Sequence, residues 1–277
     1  MHQREVVLPN GVIMPTFGMG TWNMGDSVLS EKQEVAALVH GIELGMTLID
    51  TAEMYADGRA ERVCAKAIAD RRSRVFLVSK VLPGNANRQN TIAACEKSLR
   101  RLGTDYLDLY LLHWRGRFPL EETFEAFEQL HRAGKIRAYG VSNFDLADME
   151  EVEKFAPGKN NVNQVLYNTG SRGIEWDLLP WQKERDIALM AYSPLHQMRL
   201  LRNVQLAQIA SDLSMTPAQL ALSWLFHQGV IPIPKSSSIA RLDQNRKAWD
   251  IVLDSPTLER LNTVFPPPTR KTPLDLL

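Results

Sequence analysis

Thr47–Tyr55, TLIDTAEMY, sets the reading of this chain. A short apolar run, Leu48-Ile49, delivers a carboxylate at Asp50 and then a phenol at Tyr55. Burying an unpaired carboxylate at the end of a strand is costly, so Asp50 calls for a cation or a chemical task. The next strand-like run, Arg74–Lys80 (RVFLVSK), ends in a lysine that can be that cation. The run after it, Tyr106–His113 (YLDLYLLH), ends in a histidine. Three successive apolar runs, each closed by an ionisable residue, describe a site assembled from strand ends.

Outward from this stretch, extended and helical runs alternate. Arg4–Leu8 and Val12–Met14 flank Asn10-Gly11, a strong hairpin signal, and predict an N-terminal β-hairpin outside the main fold. Gly-rich Thr16–Gly20 starts the repeating series. Ser30-Glu31-Lys32-Gln33 reads as a capping box before a helix with Val35, Leu38, Val39 and Ile42 on one face. Further strands are predicted at Ile136–Ser142, Val162–Gln164, Ala188–Tyr192 and Val230–Pro234. Helices are expected near Ala60–Ala69 and Thr91–Leu102, after Pro119, after Asp145, and over Leu178–Arg185 and Val204–Leu213. Others begin at Thr216-Pro217-Ala218-Gln219, Ile239 and Ser255-Pro256, and the Pro-rich tail from Pro266 reads as loosely ordered. Strand ends fall at Gly20, Asp50, Lys80, His113, Ser142, Gln164, Tyr192 and Pro234, mostly about 30 residues apart, which suits one strand, one helix and two loops. The pattern predicts an α/β fold, a (β/α)8 TIM barrel in a single domain over 1–277, with the hairpin in front and extra C-terminal helices. Neither half carries a Gly-rich dinucleotide fingerprint, which ranks two doubly wound domains second.

Composition narrows the function. The 277 residues are 44% hydrophobic and 23% charged, and 32 basic residues balance 32 acidic ones. That leaves no electrostatic footprint for nucleic acid or an anionic membrane. The N-terminus has no signal-peptide core and no run approaches about 18 apolar residues, so a cytoplasmic protein is expected. Cys64 and Cys95 sit among apolar helical neighbours and read as reduced core residues. The six histidines show neither HxH nor HExxH spacing, and no metal is expected.

The active site of an α/β barrel lies at the C-terminal ends of its strands. Asp50, Lys80 and His113 fall at three neighbouring ends, with Tyr55 on the loop after the first. A phenol is a weak acid at neutral pH. A buried ammonium stabilises its phenolate, and a carboxylate keeps that ammonium charged and aimed. A pKa lowered by about three units, roughly 4 kcal/mol, is the expectation for Tyr55. It would then act as a general acid, with His113 orienting a substrate carbonyl. Taken singly, each residue has a plainer reading: a structural ion pair, a loop aromatic, a core histidine. Their coincidence at strand ends favours the site.

The motifs Asp50-Thr51-Ala52-x-x-Tyr55, Leu77-Val78-Ser79-Lys80, Leu111-Leu112-His113-Trp114, Gly140-Val141-Ser142-Asn143-Phe144, Asn163-Gln164-Val165, Ala191-Tyr192-Ser193-Pro194-Leu195 and Ile233-Pro234-Lys235-Ser236 resemble those of the aldo-keto reductase superfamily. The resemblance runs from Leu8 to Asn262, in order, and is nearest to bacterial members that reduce small aldehydes such as methylglyoxal. It implies an oxidoreductase that reduces aldehydes or ketones to alcohols with NADPH as cofactor, acting on a small carbonyl compound as a monomer. Asp50, Tyr55, Lys80 and His113 match the catalytic tetrad. Ser142, Asn143 and Gln164 match residues on the nicotinamide carboxamide, and Tyr192 the aromatic under its ring. Ser193 and Leu195 lie in the loop that passes over the pyrophosphate. Lys235, Ser236 and Arg241 match the clamp on the 2′-phosphate, and Gln244 and Asn245 the adenine contacts. Trp22, Met54 and Trp114 are expected in the substrate pocket.

Some positions depart from the family pattern. Gln244 stands where Glu is frequent, and His196 replaces the usual Gly after Leu195, which puts that backbone's approach to the pyrophosphate in question. The stretch from His196 to Asn203 is too short for a long lid, which implies fast cofactor exchange. Arg115 and Arg117 follow His113 and either favour acidic substrates or are simply solvated. Two rival functions stay open on the residues alone. One is a Schiff-base lyase using Lys80, the other a cofactor-sensing regulatory subunit.

Overall fold

The computed structural model describes residues 2–277. Among them, eight parallel strands alternate with helices. The order is β1 (Glu5–Val7), β2 (Ile13–Pro15), β3 (Gly18–Gly20), α1 (Glu31–Glu43), β4 (Leu48–Asp50), α2 (Arg59–Ile68), β5 (Phe76–Val81) and α3 (Arg88–Leu102). Then come β6 (Leu107–Leu112), α4 (Leu120–Arg132), β7 (Ile136–Ser142), α5 (Leu146–Phe155), β8 (Val162–Leu166), α6 (Leu178–Lys183) and β9 (Ala188–Tyr192). Last are α7 (Val204–Asp212), α8 (Pro217–His227), β10 (Ile231–Pro232), α9 (Ile239–Ala248) and α10 (Ser255–Val264). Neighbouring strands pair in parallel from β3 through β10. The circle closes where the Gly20 amide donates to the Pro234 carbonyl at 3.2 Å. Only glycine permits that approach, since a Cβ on Gly20 would lie 2.8 Å from the Ile233 carbonyl oxygen.

Alternation along the strands explains both core and site. Leu48, Phe76, Val78, Leu109, Leu111, Ala138, Val162, Met190, Ile231 and Ile233 form one buried cluster inside the barrel. Continuing the same parity by two residues gives Asp50, Lys80, His113, Gln164, Tyr192 and Lys235. These expected site residues are thus the top layer of the inward-facing stripes, where the barrel opens. The outward residues pack against the helices in a second, larger apolar cluster.

Several local expectations need correction. The hairpin is not outside the fold, because buried Leu8 and Met14 join the interior cluster and plug the barrel floor. The hairpin turn spans Pro9-Asn10-Gly11 with only Gly11 left-handed (φ 84°), because the Gly11 amide closes on the Leu8 carbonyl. The capping box at Ser30 does not form. The Ser30 hydroxyl donates to Glu34 Oε1 at 2.7 Å, and the Gln33 amide reaches the Ser237 carbonyl at 3.0 Å. Pro119 stands at the N-cap of α4 rather than in its first turn. Strand β10 is short because Pro232 and Pro234 withhold donors. The tail after Pro266 has no regular structure but is held, with Lys271 paired to Asp177 at 3.0 Å and Leu274 packed on the core. No helix among the described residues is long and apolar enough to cross a membrane.

Candidate active site

Lys80 is fully buried, and its three ammonium protons all find acceptors. Nζ donates to Asp50 Oδ2 at 2.7 Å, to the Thr51 carbonyl at 3.0 Å and to the Tyr55 hydroxyl at 3.1 Å. The other carboxylate oxygen of Asp50 accepts from Gln164 Nε2 at 2.7 Å. This buried pair is fully hydrogen-bonded on both sides, the condition under which such a pair persists. Removing one partner would strand a buried charge at a cost of about 3–5 kcal/mol. The Tyr55 oxygen accepts from Lys80, and among the described residues nothing accepts the phenol's own proton. That proton is left for a ligand.

The expected direction for the Tyr55 pKa is overturned. Burial pushes the phenol up, Lys80 pulls it down, Asp50 pushes it up again, and the net shift is upward. The physical reason is burial first, which disfavours the phenolate, with the Asp50 carboxylate acting in the same direction against the pull of Lys80. For Lys80, burial pulls down, but Asp50 and then Tyr55 pull up and prevail, so the amine stays an ammonium. Tyr55 is followed directly by a short turn in which Ala56 (φ 50°) and Asp57 (φ 53°) are left-handed before Gly58 (φ 80°). A non-glycine residue there costs about 1–2 kcal/mol. Strained backbone beside the acid persists only where surrounding structure holds it.

His113 is 8% exposed, and its Nδ1 is buried with no partner. Burial, then Lys80, push its pKa down to about 2, so the ring is neutral at any ordinary pH. An unsatisfied buried N–H costs more than a bare nitrogen lone pair, which places the single proton on Nε2, where a ligand can accept it. The ring meets Tyr55 edge-on with centroids 5.7 Å apart and lies 4.9 Å from Trp114. At acid pH the folded state binds fewer protons than the unfolded one. Stability is therefore present above the ordinary value of 6.5 and declines as pH falls toward about 2. His113→Gln should flatten this acid limb, read as Tm against pH between about 7 and 4. Parallel wild-type and variant curves would refute it.

The remaining expected site residues ring the same barrel mouth. Ser142 donates to the Gln164 carbonyl at 2.8 Å. Asn143, left-handed at φ 59°, donates to the His113 carbonyl at 3.0 Å and accepts from the Tyr192 hydroxyl at 2.8 Å. Their donors thus hold the strand ends together, a role that residue type does not reveal. Ser193 is left-handed (φ 45°), and its carbonyl accepts from Asn168 Nδ2 at 3.1 Å. Leu195 packs against the core. His196 adopts φ 47°, the backbone that glycine would favour, and Gln197 and Met198 follow it there. The stretch is two one-turn 3-10 segments anchored by buried Leu200, and not a long lid.

Past the end of β10, Lys235 and Arg241 are exposed and free of salt bridges among the described residues, beside buried Ser236. Arg241 stands in the first turn of α9, which carries no acidic residue. Positive charge is the wrong sign for a helix N-terminus unless an anion sits there. Gln244 is exposed while Asn245 is buried, so the two are unequal candidates for a base contact. Trp22, Met54 and Trp114, the residues expected in a substrate pocket, stand exposed, 45%, 40% and 38%. Arg115 is not free, since it pairs with Asp148 at 2.6 Å and Glu151 at 2.7 Å. Cys64 and Cys95 are buried thiols pushed up to about 12 by burial, and no metal cluster exists among the described residues. Sequence reasoning missed the Thr51 carbonyl and the Gln164–Asp50 bond. The first has no side-chain signal, and the second joins strands 114 residues apart.

Comparison with known proteins agrees with this geometry. The model of the aldo/keto reductase family matches residues 16–265. Methylglyoxal reductase YeaE of Escherichia coli is 51% identical, with all of both chains covered. Glyoxal reductase of Bacillus subtilis is 38% identical over 94% of this chain and 92% of its own. An aldo-keto reductase of Klebsiella pneumoniae solved in complex with NADPH superimposes with a TM-score of 0.96 at 49% identity, each chain fully covered. A barrel of this topology, a buried ion pair under a phenol and these full-length likenesses place the chain in the aldo/keto reductase family.

Proposed function

We propose that this protein is an NADPH-dependent carbonyl reductase acting on small aldehydes of the methylglyoxal type. The observation that carries the reading is the Tyr55 hydroxyl, whose oxygen is held 3.1 Å from a fully buried ammonium while its own proton has no acceptor among the described residues. NADPH, when bound, supplies the hydride that reduces the carbonyl carbon. His113 Nε2–H aligns the carbonyl oxygen, and Tyr55 transfers its proton to the alkoxide as charge develops there. A phenol with a raised pKa still protonates an alkoxide, which is a far stronger base. Lys80 then meets the phenolate with a proton already aimed at it, and Asp50 with Gln164 keeps that ammonium charged and fixed.

The cofactor fits the residues present. Lys235, Ser236 and Arg241 offer a lysine, a hydroxyl and a guanidinium for a dianionic 2′-phosphate. Tyr192 offers a ring for the nicotinamide, Gln164 Oε1 an acceptor for its carboxamide, and Ser193 and Leu195 line the path between. Exposed Gln244 suits the adenine edge better than buried Asn245. The Schiff-base alternative loses ground because Lys80 is an ammonium with three acceptors rather than a free amine. The test is turnover of a panel of small aldehydes, glyoxal and methylglyoxal included, followed by NADPH absorbance. Steady oxidation of NADPH with at least one of them is expected. None with any of them would refute the reading.

A further inference from the structure

Glu61 is a fully buried carboxylate in the first turn of α2, outside the acid machinery, and it ties three elements together. It accepts from the Ser79 hydroxyl at 2.7 Å and forms an ion pair with Arg101 of α3. Ser79 precedes Lys80 on β5, so its side chain points outward from the barrel just where Lys80 points in. Arg101 also donates to Ser98 at 3.0 Å, and its stem covers the Cα of Gly58 so closely that a Cβ there would lie 2.6 Å from Cδ and Nε. Gly58 is the last residue of the left-handed turn that begins just after Tyr55.

These contacts close a ring. From Tyr55 the chain runs through the turn 56–58 to Glu61, across to Ser79, one residue along to Lys80, and back through its ammonium to the Tyr55 oxygen. We propose that the cluster of half-buried Arg101 with buried Glu61 and Ser79 is a positioning clamp that fixes the strained turn and thereby the Tyr55 hydroxyl over Lys80. Glu61 and Arg101 touch no reacting atom. They act by denying the turn the right-handed conformations it would otherwise prefer, and by tying α2 to the strand that carries the ammonium. The Arg59 guanidinium adds a second hold, donating to the Gly25 carbonyl at 2.8 Å.

The proposal rests on Tyr55 being the acid, and its test separates the two claims. Arg101→Met should lower kcat for aldehyde reduction roughly 10- to 100-fold, the size of effect expected when a reacting group is misplaced by about 1 Å. KM and the NADPH Kd, read by quenching of protein fluorescence, should move by no more than about twofold, and the solvent deuterium isotope effect on kcat should rise as proton transfer becomes limiting. Arg101→Lys should restore part of the rate, and Tyr55→Phe/Arg101→Met should be no slower than Tyr55→Phe alone. If Arg101→Met does not fold, Ser79→Ala removes one tie only and should show the same pattern at smaller size. An inactive Tyr55→Phe beside Arg101 and Ser79 variants of wild-type kcat, whatever their Tm, overturns the clamp alone. A fully active Tyr55→Phe enzyme overturns the acid and the clamp with it.

Discussion

Replacing Tyr55 by Phe is expected to lower kcat for aldehyde reduction by on the order of a thousandfold, while the NADPH Kd stays within about twofold. The substitution removes one oxygen. Among the described residues no other hydroxyl is held against the buried ammonium, so no neighbouring side chain can substitute as donor. Water is a poor replacement because it is not aimed and its own deprotonated form is not stabilised there. The same deletion leaves one proton of Lys80 without its acceptor in a fully buried setting. A modest loss of stability, about 1–3 kcal/mol, should therefore accompany the loss of rate. Steady-state turnover, NADPH titration and thermal unfolding together decide it. Normal turnover would show that the acid is misassigned. Lost cofactor binding would show that the hydroxyl serves to hold the nucleotide rather than to supply a proton.

The second large effect concerns the two exposed cations past the end of β10, Lys235 and Arg241. Lys235→Ala or Arg241→Ala should each weaken NADPH binding roughly 10- to 100-fold while leaving NADH nearly unchanged, because a charge-assisted hydrogen bond to phosphate contributes about 1.5–3 kcal/mol. Both side chains are exposed, and neither makes a salt bridge within the described residues that the substitution would break. No compensating loss of stability is expected, which makes the comparison clean. The discriminating measurement is the ratio of NADPH to NADH affinity in each variant. Equal losses for both nucleotides would refute a phosphate clamp. The effect should also shrink as salt rises, since the contact is electrostatic and open to solvent.

The upward shift of Tyr55 changes what the ion pair is for. An isolated ammonium beside the phenol would make it a stronger acid before any substrate arrives. With burial, and then Asp50, acting against Lys80, the resting phenol stays protonated, and on the proposed reading the ammonium, bonded to Asp50, is kept oriented for the moment the proton leaves. Preorganisation, rather than a lowered resting pKa, is what the geometry provides.

The sequence by itself determined the repeating strand–helix order, the closure into a barrel, and the identity of Asp50, Tyr55, Lys80 and His113. Alternation at period two and charges at strand ends are local signals, and each survives in a short window of residues. Through the resemblance of the whole series of motifs it also marked Lys235 and Arg241 as candidates for a phosphate. Only the tertiary structure decided that the hairpin plugs the barrel floor, that Arg115 is consumed by Asp148 and Glu151, and that the tail is docked. The same holds for the sign of the Tyr55 shift, for Gln164 as a partner of Asp50, and for the Glu61–Arg101 pair behind the turn. Each of these depends on distances between residues far apart in the chain, and on a balance of burial against charge. Such a balance has no value until the fold has set those distances.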